Sequence, residues 1–200
     1  IVGGADINKL FIYQKLSSWG WLHYLLWQRT ETYGCPSGNT RTYRGDFDSH
    51  DNPHFDIETI VLPCEKDDTD TVFAVKEALK RGFDDFLLIG VVGARLDHTL
   101  GNVSILLYLD SLGKKGIIID DYSEMEIISN KPAYIEDSYA FFSLLNVTGT
   151  AKGITMRECQ VSTWKCRDYL WIPVWNQQWS APGQKSKGYC FGRKIVVDKR

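Results

Sequence analysis

Apolar and polar positions alternate in a legible way only through the middle of the chain. Ile57 to Leu62 is a β-rich run closed by Pro63, and the acidic loop Cys64-Glu65-Lys66-Asp67-Asp68 follows it. A helix is predicted next, with Asp68 or Thr69 as N-cap, Val72, Val75 and Leu79 as an i, i+3, i+7 stripe, and Arg81-Gly82 as its end. Phe86 to Val92 is continuously apolar, the pattern of a strand covered on both faces. After Gly93 to Leu96, Asp97 is placed to cap a second helix with Leu100, Val103 and Leu107 inward, ending near Leu112-Gly113. Gly116 to Asp120 supplies one more strand. The order β-α-β-α-β implies parallel pairing through right-handed crossovers.

From about Asp121 the helical period disappears. Met125 to Ile128, Tyr139 to Leu145 and Ile195 to Val197 have the pattern of strands, separated by Lys131-Pro132, Thr148-Gly149 and Gly192. A smaller all-β domain is expected here, with the boundary near residues 121–130 and no flexible linker.

The flanks lack clean periodicity and differ in composition. The seven Trp fall in two windows, 19, 21 and 27, then 164, 171, 175 and 179, and four of the five Cys also lie outside 44–158. Such stretches suit aromatic hairpins or core helices, or an aromatic ligand pocket. Altered sequence is a third reading, because a foldable segment should agree across levels.

Composition then narrows the function. With 200 residues, 44% hydrophobic, the chain buries a real core as one large domain or two small ones. A net charge of −2 gives no general attraction to nucleic acid or anionic membrane, so an anionic ligand must be held locally. No apolar run approaches the ~20 residues of a membrane helix. The opening Ile1-Val2-Gly3-Gly4 has neither an initiating Met nor the basic region of a secretory signal, and the cytoplasm is the expected compartment. Five scattered Cys without a C-x-x-C fit reduced thiols.

The candidate chemistry is acidic. Gly45-Asp46-Phe47-Asp48-Ser49, Lys66-Asp67-Asp68-Thr69-Asp70 and Arg95-Leu96-Asp97-His98 each sit where a strand gives way to a loop or helix. In an open parallel sheet these ends meet at one edge, where ligands bind. Carboxylates sharing a cleft repel unless a cation compensates, and hard oxygens suit Mg²⁺, which also bridges phosphates. Taken singly, Asp46 and Asp48 serve equally as turn residues, Asp67, Asp68 and Asp70 as helix-start charges, Arg95 and Asp97 as a structural ion pair, and His98 as a solvated side chain. Gly90 to Arg95 lacks the Lys and Ser/Thr of a P-loop, although its glycines allow backbone N–H groups to approach a phosphate.

In order, spacing and wording, these segments, with Thr99-Leu100-Gly101-Asn102 extending the third, closely resemble thiamine pyrophosphokinase of the bacterial type. The resemblance runs from about Arg44 to Glu158 and includes Phe142 to Leu145 and Lys152-Gly153-Ile154-Thr155. It implies an α/β chain in which a Rossmann-like parallel-sheet domain, 1–121, binds Mg-ATP and a smaller β-sandwich domain, 122–200, binds thiamine. It also implies a homodimer that transfers the diphosphate of ATP to thiamine, and the charge balance already gives no expectation of a nucleic-acid or membrane partner. Carried over residue by residue, the metal ligands are Asp46, Asp48 and Asp70, with Asp48 and Asp70 expected on exposed loop edges. Arg95 and Asp97 join these three at the reacting centre, and Ser49, Lys66, Asp67, Thr69, Gly93, His98, Thr99 and Asn102 contact the nucleotide. Asp97 or Asp46 would accept the thiamine hydroxyl proton. The alternatives are a non-catalytic thiamine- or nucleotide-binding module of the same fold and a Mg-dependent nucleotide transferase with another acceptor.

The flanks depart from the family pattern. Ser17-Ser18-Trp19-Gly20 stands where the family has Asp-x-Gly, and neither its Gly-x-x-Tyr-Pro-Leu segment nor its later Ser-Asn pair is found after Thr155. Short compensated frameshifts in the coding DNA would account for both the mismatch and the excess of Trp and Cys, and resequencing codons 17–43 and 159–180 tests that account.

Overall fold

The computed structural model describes residues 1, 3, 5, 42–45, 58–61, 68–93, 95–129, 133–135, 139, 141–148, 155–157, 178–179, 186–189 and 195–199. The fold is mixed α/β. It divides into two compact units, Ile1–Ile105 with Ile118–Asp121, and Leu106–Ile117 with Tyr122–Arg200.

In the first unit β1 (Thr42–Gly45) and β2 (Glu58–Val61) pair in parallel, with Arg44 opposite Ile60. Helix α1 (Asp70–Lys80) starts at Thr69, whose extended backbone leaves its hydroxyl free to accept the Val72 N–H at 3.3 Å. Its buried face is Ala74, Val75 and Ala78, while Val72 and Leu79 of the expected stripe are only half-buried. Small residues let the helix sit close, so its core contact falls one position away from the bulkiest side chains.

Strand β3 (Asp85–Ile89) buries Phe86 to Ile89. It stops three residues earlier than its apolar run, because Gly90 turns the backbone to φ 64°. The start of the chain runs beside it. Ile89 N–H donates to the Ile1 carbonyl at 2.9 Å, Gly3 N–H donates to the Ile89 carbonyl at 2.6 Å, and Ala5 N–H donates to the Gly90 carbonyl at 2.9 Å. Two bonds that straddle Ile89 in this sense are the signature of parallel pairing.

Helix α2 (Leu96–Ser111) begins one residue before the expected cap: the Arg95 carbonyl already accepts the Thr99 N–H at 3.1 Å, and Asp97 lies inside the first turn. The face is also different. Asn102, Ile105, Leu106 and Leu109 are buried, whereas Leu100 is 59% exposed and Val103 and Leu107 are half-buried. Apolar residues surround this helix, so spacing alone does not select its inner face.

Strand β4 spans Lys115–Ile119, and at Gly116 an added Cβ would stand 2.8 Å from Leu109 Cδ1 and 2.9 Å from Leu106 Cδ2. In the second unit β5 (Glu124–Ile128), β11 (Ile195–Lys199), β7 (Phe141–Asn146) and β9 (Gln178–Trp179) are antiparallel neighbours in that order. Val197 of β11 lies between Glu126 and Leu144, so the last strand in sequence is interior to the sheet. A second antiparallel group places β10 (Ser186–Tyr189) between β6 (Ala133–Ile135) and β8 (Thr155–Arg157). Ile128, Ile135, Phe142 and Leu144 are buried here. No helix among the described residues is long and apolar enough to cross a membrane.

Candidate active site

The described part of the site is built at the end of β3 and the starts of both helices. Asp70 is the first residue of α1, where a carboxylate favours the positive end of the helix dipole. It is buried at 7% exposure, not on an exposed loop edge as expected, although Thr69 beside it is exposed. Thr69 spends its hydroxyl on capping, and Asp68 beside it holds Lys76 Nζ at 2.6 Å.

Beyond Gly90 the chain enters a short loop, Val91 to Arg95, that leads into α2. Three bonds from α2 hold it. Asn102 Nδ2 donates to the Val91 carbonyl at 2.7 Å in a buried contact, Gly93 N–H donates to Thr99 Oγ1 at 3.4 Å, and Thr99 Oγ1 donates to the Arg95 carbonyl at 3.3 Å. Arg95 itself is two-thirds exposed and forms a forked pair with Asp97, Nη2 to Oδ2 at 2.6 Å and Nε to Oδ1 at 3.3 Å. The hydrogen bond from Arg95, aided by the His98 backbone N–H, holds the Asp97 carboxyl down at about 2, and the same pairing raises the Arg95 guanidinium above its ordinary value. The result is an ionised pair facing solvent. His98 is exposed next to it.

Gly93, Arg95, Asp97, His98, Thr99 and Asn102 therefore fall on one loop and the first two turns of one helix. Asp46, Asp48, Ser49, Lys66 and Asp67 lie outside the described residues. Among the described residues no three His, Cys, Asp or Glu side chains gather into a metal-binding group. Hard carboxylate oxygens such as those of Asp46, Asp48 and Asp70 suit Mg²⁺ by their chemistry, and a buried carboxylate like Asp70 is the kind a cation compensates.

Residues 39–118 match the family model of Thiamin pyrophosphokinase, catalytic domain. That span covers β1 through most of β4 and every site residue named above, so the resemblance to thiamine pyrophosphokinase carried by the motifs is borne out. Among solved structures, thiamine pyrophosphokinase from Bacillus subtilis superposes with a TM-score of 0.81 at 17% identity, covering 99% of this chain and 95% of that one. The enzyme from Geobacillus thermodenitrificans gives 0.74 at 18%, covering 99% and 94%. Thiamin pyrophosphokinase from Candida albicans gives 0.66 at 12%, covering 100% and 86%. At such identities the likeness establishes the shared mixed α/β fold. No curated protein matches the chain significantly.

Sequence reasoning missed the contact between the opening segment and the loop after β3. A Cβ on Gly93 would stand 3.1 Å from Ala5 Cβ, and one on Gly90 would stand 2.9 Å from the Gly3 carbonyl oxygen. The glycines at 3, 90 and 93 were the available signal.

Proposed function

We propose that this chain is an ATP:thiamine diphosphotransferase that converts ATP and thiamine to AMP and thiamine diphosphate. The observation that carries the reading is the match of residues 39–118 to the catalytic-domain model, with the Arg95–Asp97 pair presented on the loop after β3 inside that span. The thiamine hydroxyl oxygen attacks the β-phosphorus of ATP, the bond from that phosphorus to the α-phosphate bridge breaks, and AMP leaves.

Asp46, Asp48 and Asp70 hold Mg²⁺, which when bound neutralises phosphate oxygens. Ser49, Lys66, Asp67, Thr69, Gly93 and His98 line the nucleotide. Arg95, kept charged and aimed by Asp97, meets the negative charge that builds on the nonbridging oxygens. The hydroxyl proton passes to Asp97 or Asp46 in this reading, and the Arg95 pair makes Asp97 the weaker base of the two while it is held in that pair. Residues 1–121 form a Rossmann-like Mg-ATP domain and 122–200 a β-sandwich that holds thiamine. The working form is a cytoplasmic homodimer without nucleic-acid or membrane partners.

The test is incubation with ATP, Mg²⁺ and thiamine, with AMP and thiamine diphosphate followed together. AMP that appears only with thiamine supports the reading. Thiamine binding without turnover, or ATP hydrolysis indifferent to thiamine, would replace it with the binding module or with a transferase for another acceptor.

A further inference from the structure

We infer that Thr99 and Asn102 are positioning residues, which brace the Val91–Arg95 loop from α2 and thereby aim the Arg95 guanidinium, and do not contact the nucleotide. The inference rests on the diphosphotransferase reading for Arg95 and adds to it the means by which that side chain is held.

The resemblance places both residues with the nucleotide contacts, yet the Asn102 amide donor and the Thr99 hydroxyl are engaged by the loop itself. Asn102 is 6% exposed, and its donor goes to the Val91 carbonyl at 2.7 Å, eleven residues back in the chain. Thr99 stands one turn earlier on the same side of α2, since residues three apart share a face. Its single hydroxyl accepts from Gly93 N–H at 3.4 Å and donates to the Arg95 carbonyl at 3.3 Å. Together they tie down the loop at its beginning, middle and end.

The loop needs such ties. It follows a left-handed turn at Gly90, has no strand pairing of its own, and ends in a long, exposed Arg side chain. An arginine side chain gives up rotational freedom about several bonds when ordered, and its pair with Asp97 orients the head, while the Thr99 N–H and hydroxyl together hold the Arg95 carbonyl. Fixing the Arg95 carbonyl fixes the origin of the side chain. Preorganised charge is what stabilises a developing anion, so a loosened loop should slow chemistry more than it weakens ground-state binding.

The experiment is a kinetic cycle. Thr99→Val removes the hydroxyl at constant shape, Thr99→Ser restores it, and Asn102→Ala removes the amide. Thr99→Val and Asn102→Ala should lower kcat about tenfold or more with the ATP KM changed less than about threefold, and Thr99→Ser should recover most of the loss. In an Arg95→Ala background the same substitutions should cost less than about threefold, because the group they aim is gone. An ATP KM raised about tenfold in both backgrounds would overturn the inference and make them nucleotide contacts. Should Asn102→Ala fail to fold, the two Thr99 variants decide alone. A wild-type chain without turnover defeats the proposed activity, and amide relaxation then judges the brace. Gly93 and Arg95 order parameters of about 0.85 that drop below about 0.6 in Thr99→Val sustain it, and unchanged values reject it.

Discussion

Gly3 and Gly90 meet backbone to backbone. A Cβ on Gly90 would stand 2.9 Å from the Gly3 carbonyl oxygen, and Gly90 has a φ of 64°, so the position excludes side chains by both crowding and conformation. This contact joins the opening segment to the point where β3 turns into the Arg95 loop. Local crowding there is a property of the site as well as of the core.

Gly90→Ala should therefore destabilise the chain by about 2 kcal/mol, combining the left-handed backbone cost with the displaced Gly3 carbonyl. Gly82 is the internal comparison, with φ 84° but nothing within 4 Å of an added Cβ. Gly82→Ala should cost only about 1 kcal/mol. Thermal unfolding measures both, with a Tm fall of roughly 4–8 °C for Gly90→Ala and about half that for Gly82→Ala. Equal shifts would mean that crowding at Gly90 contributes nothing.

The Asp97 carboxyl should titrate near 2 by carboxyl-detected NMR. Because its folded value lies below that of the unfolded chain, the stabilising contribution is complete above about pH 4 and is lost as the pH falls toward 2. In Arg95→Ala the titration should move up toward the ordinary carboxyl value of 3.8. A carboxyl that stays near 2 in that variant would assign the effect to the His98 amide instead.

Asp70→Asn and Asp48→Asn should each reduce turnover roughly a thousandfold or more while the far-UV spectrum stays native, since the amide keeps the shape but not the charge of a metal ligand. For Asp70 a loss of about 0.3–1 kcal/mol in stability is also expected, from its place at the helix start. Near-normal rates at saturating Mg²⁺ would remove the substituted residue from the metal set.

Light scattering should give twice the 22.9 kDa chain mass at micromolar concentration. A fully active particle of single-chain mass would contradict the homodimer.

In the Trp-rich C-terminal flank, one indole among Trp164, Trp171, Trp175 and Trp179 should stack on the cationic thiazolium, a contact of about 0.5–2 kcal/mol. Thiamine should then quench intrinsic fluorescence without ATP, and one Trp→Phe change should raise the thiamine KM roughly threefold to thirtyfold. Four variants with unaltered thiamine KM would leave the cluster without a binding role.

Local chemistry was legible from the sequence wherever one signal dominated. A helix cap at Asp68 or Thr69 and the continuous apolar run of β3 depend on neighbours in the chain, so reading along it sufficed to place them. The inner face of α2 did not, because apolar residues occur all round that helix and what packs against Asn102, Ile105, Leu106 and Leu109 selects the side. Nor was Asp70 legible as buried, since a charged residue at a helix start has the same pattern whether water or protein covers it. The largest decisions belonged to tertiary structure: Ile1, Gly3 and Ala5 bonded to the end of β3, and β11 entered between β5 and β7. Those pairings join residues tens of positions apart through backbone N–H and carbonyl groups that every residue carries alike, so the side-chain pattern does not encode which strand becomes whose neighbour.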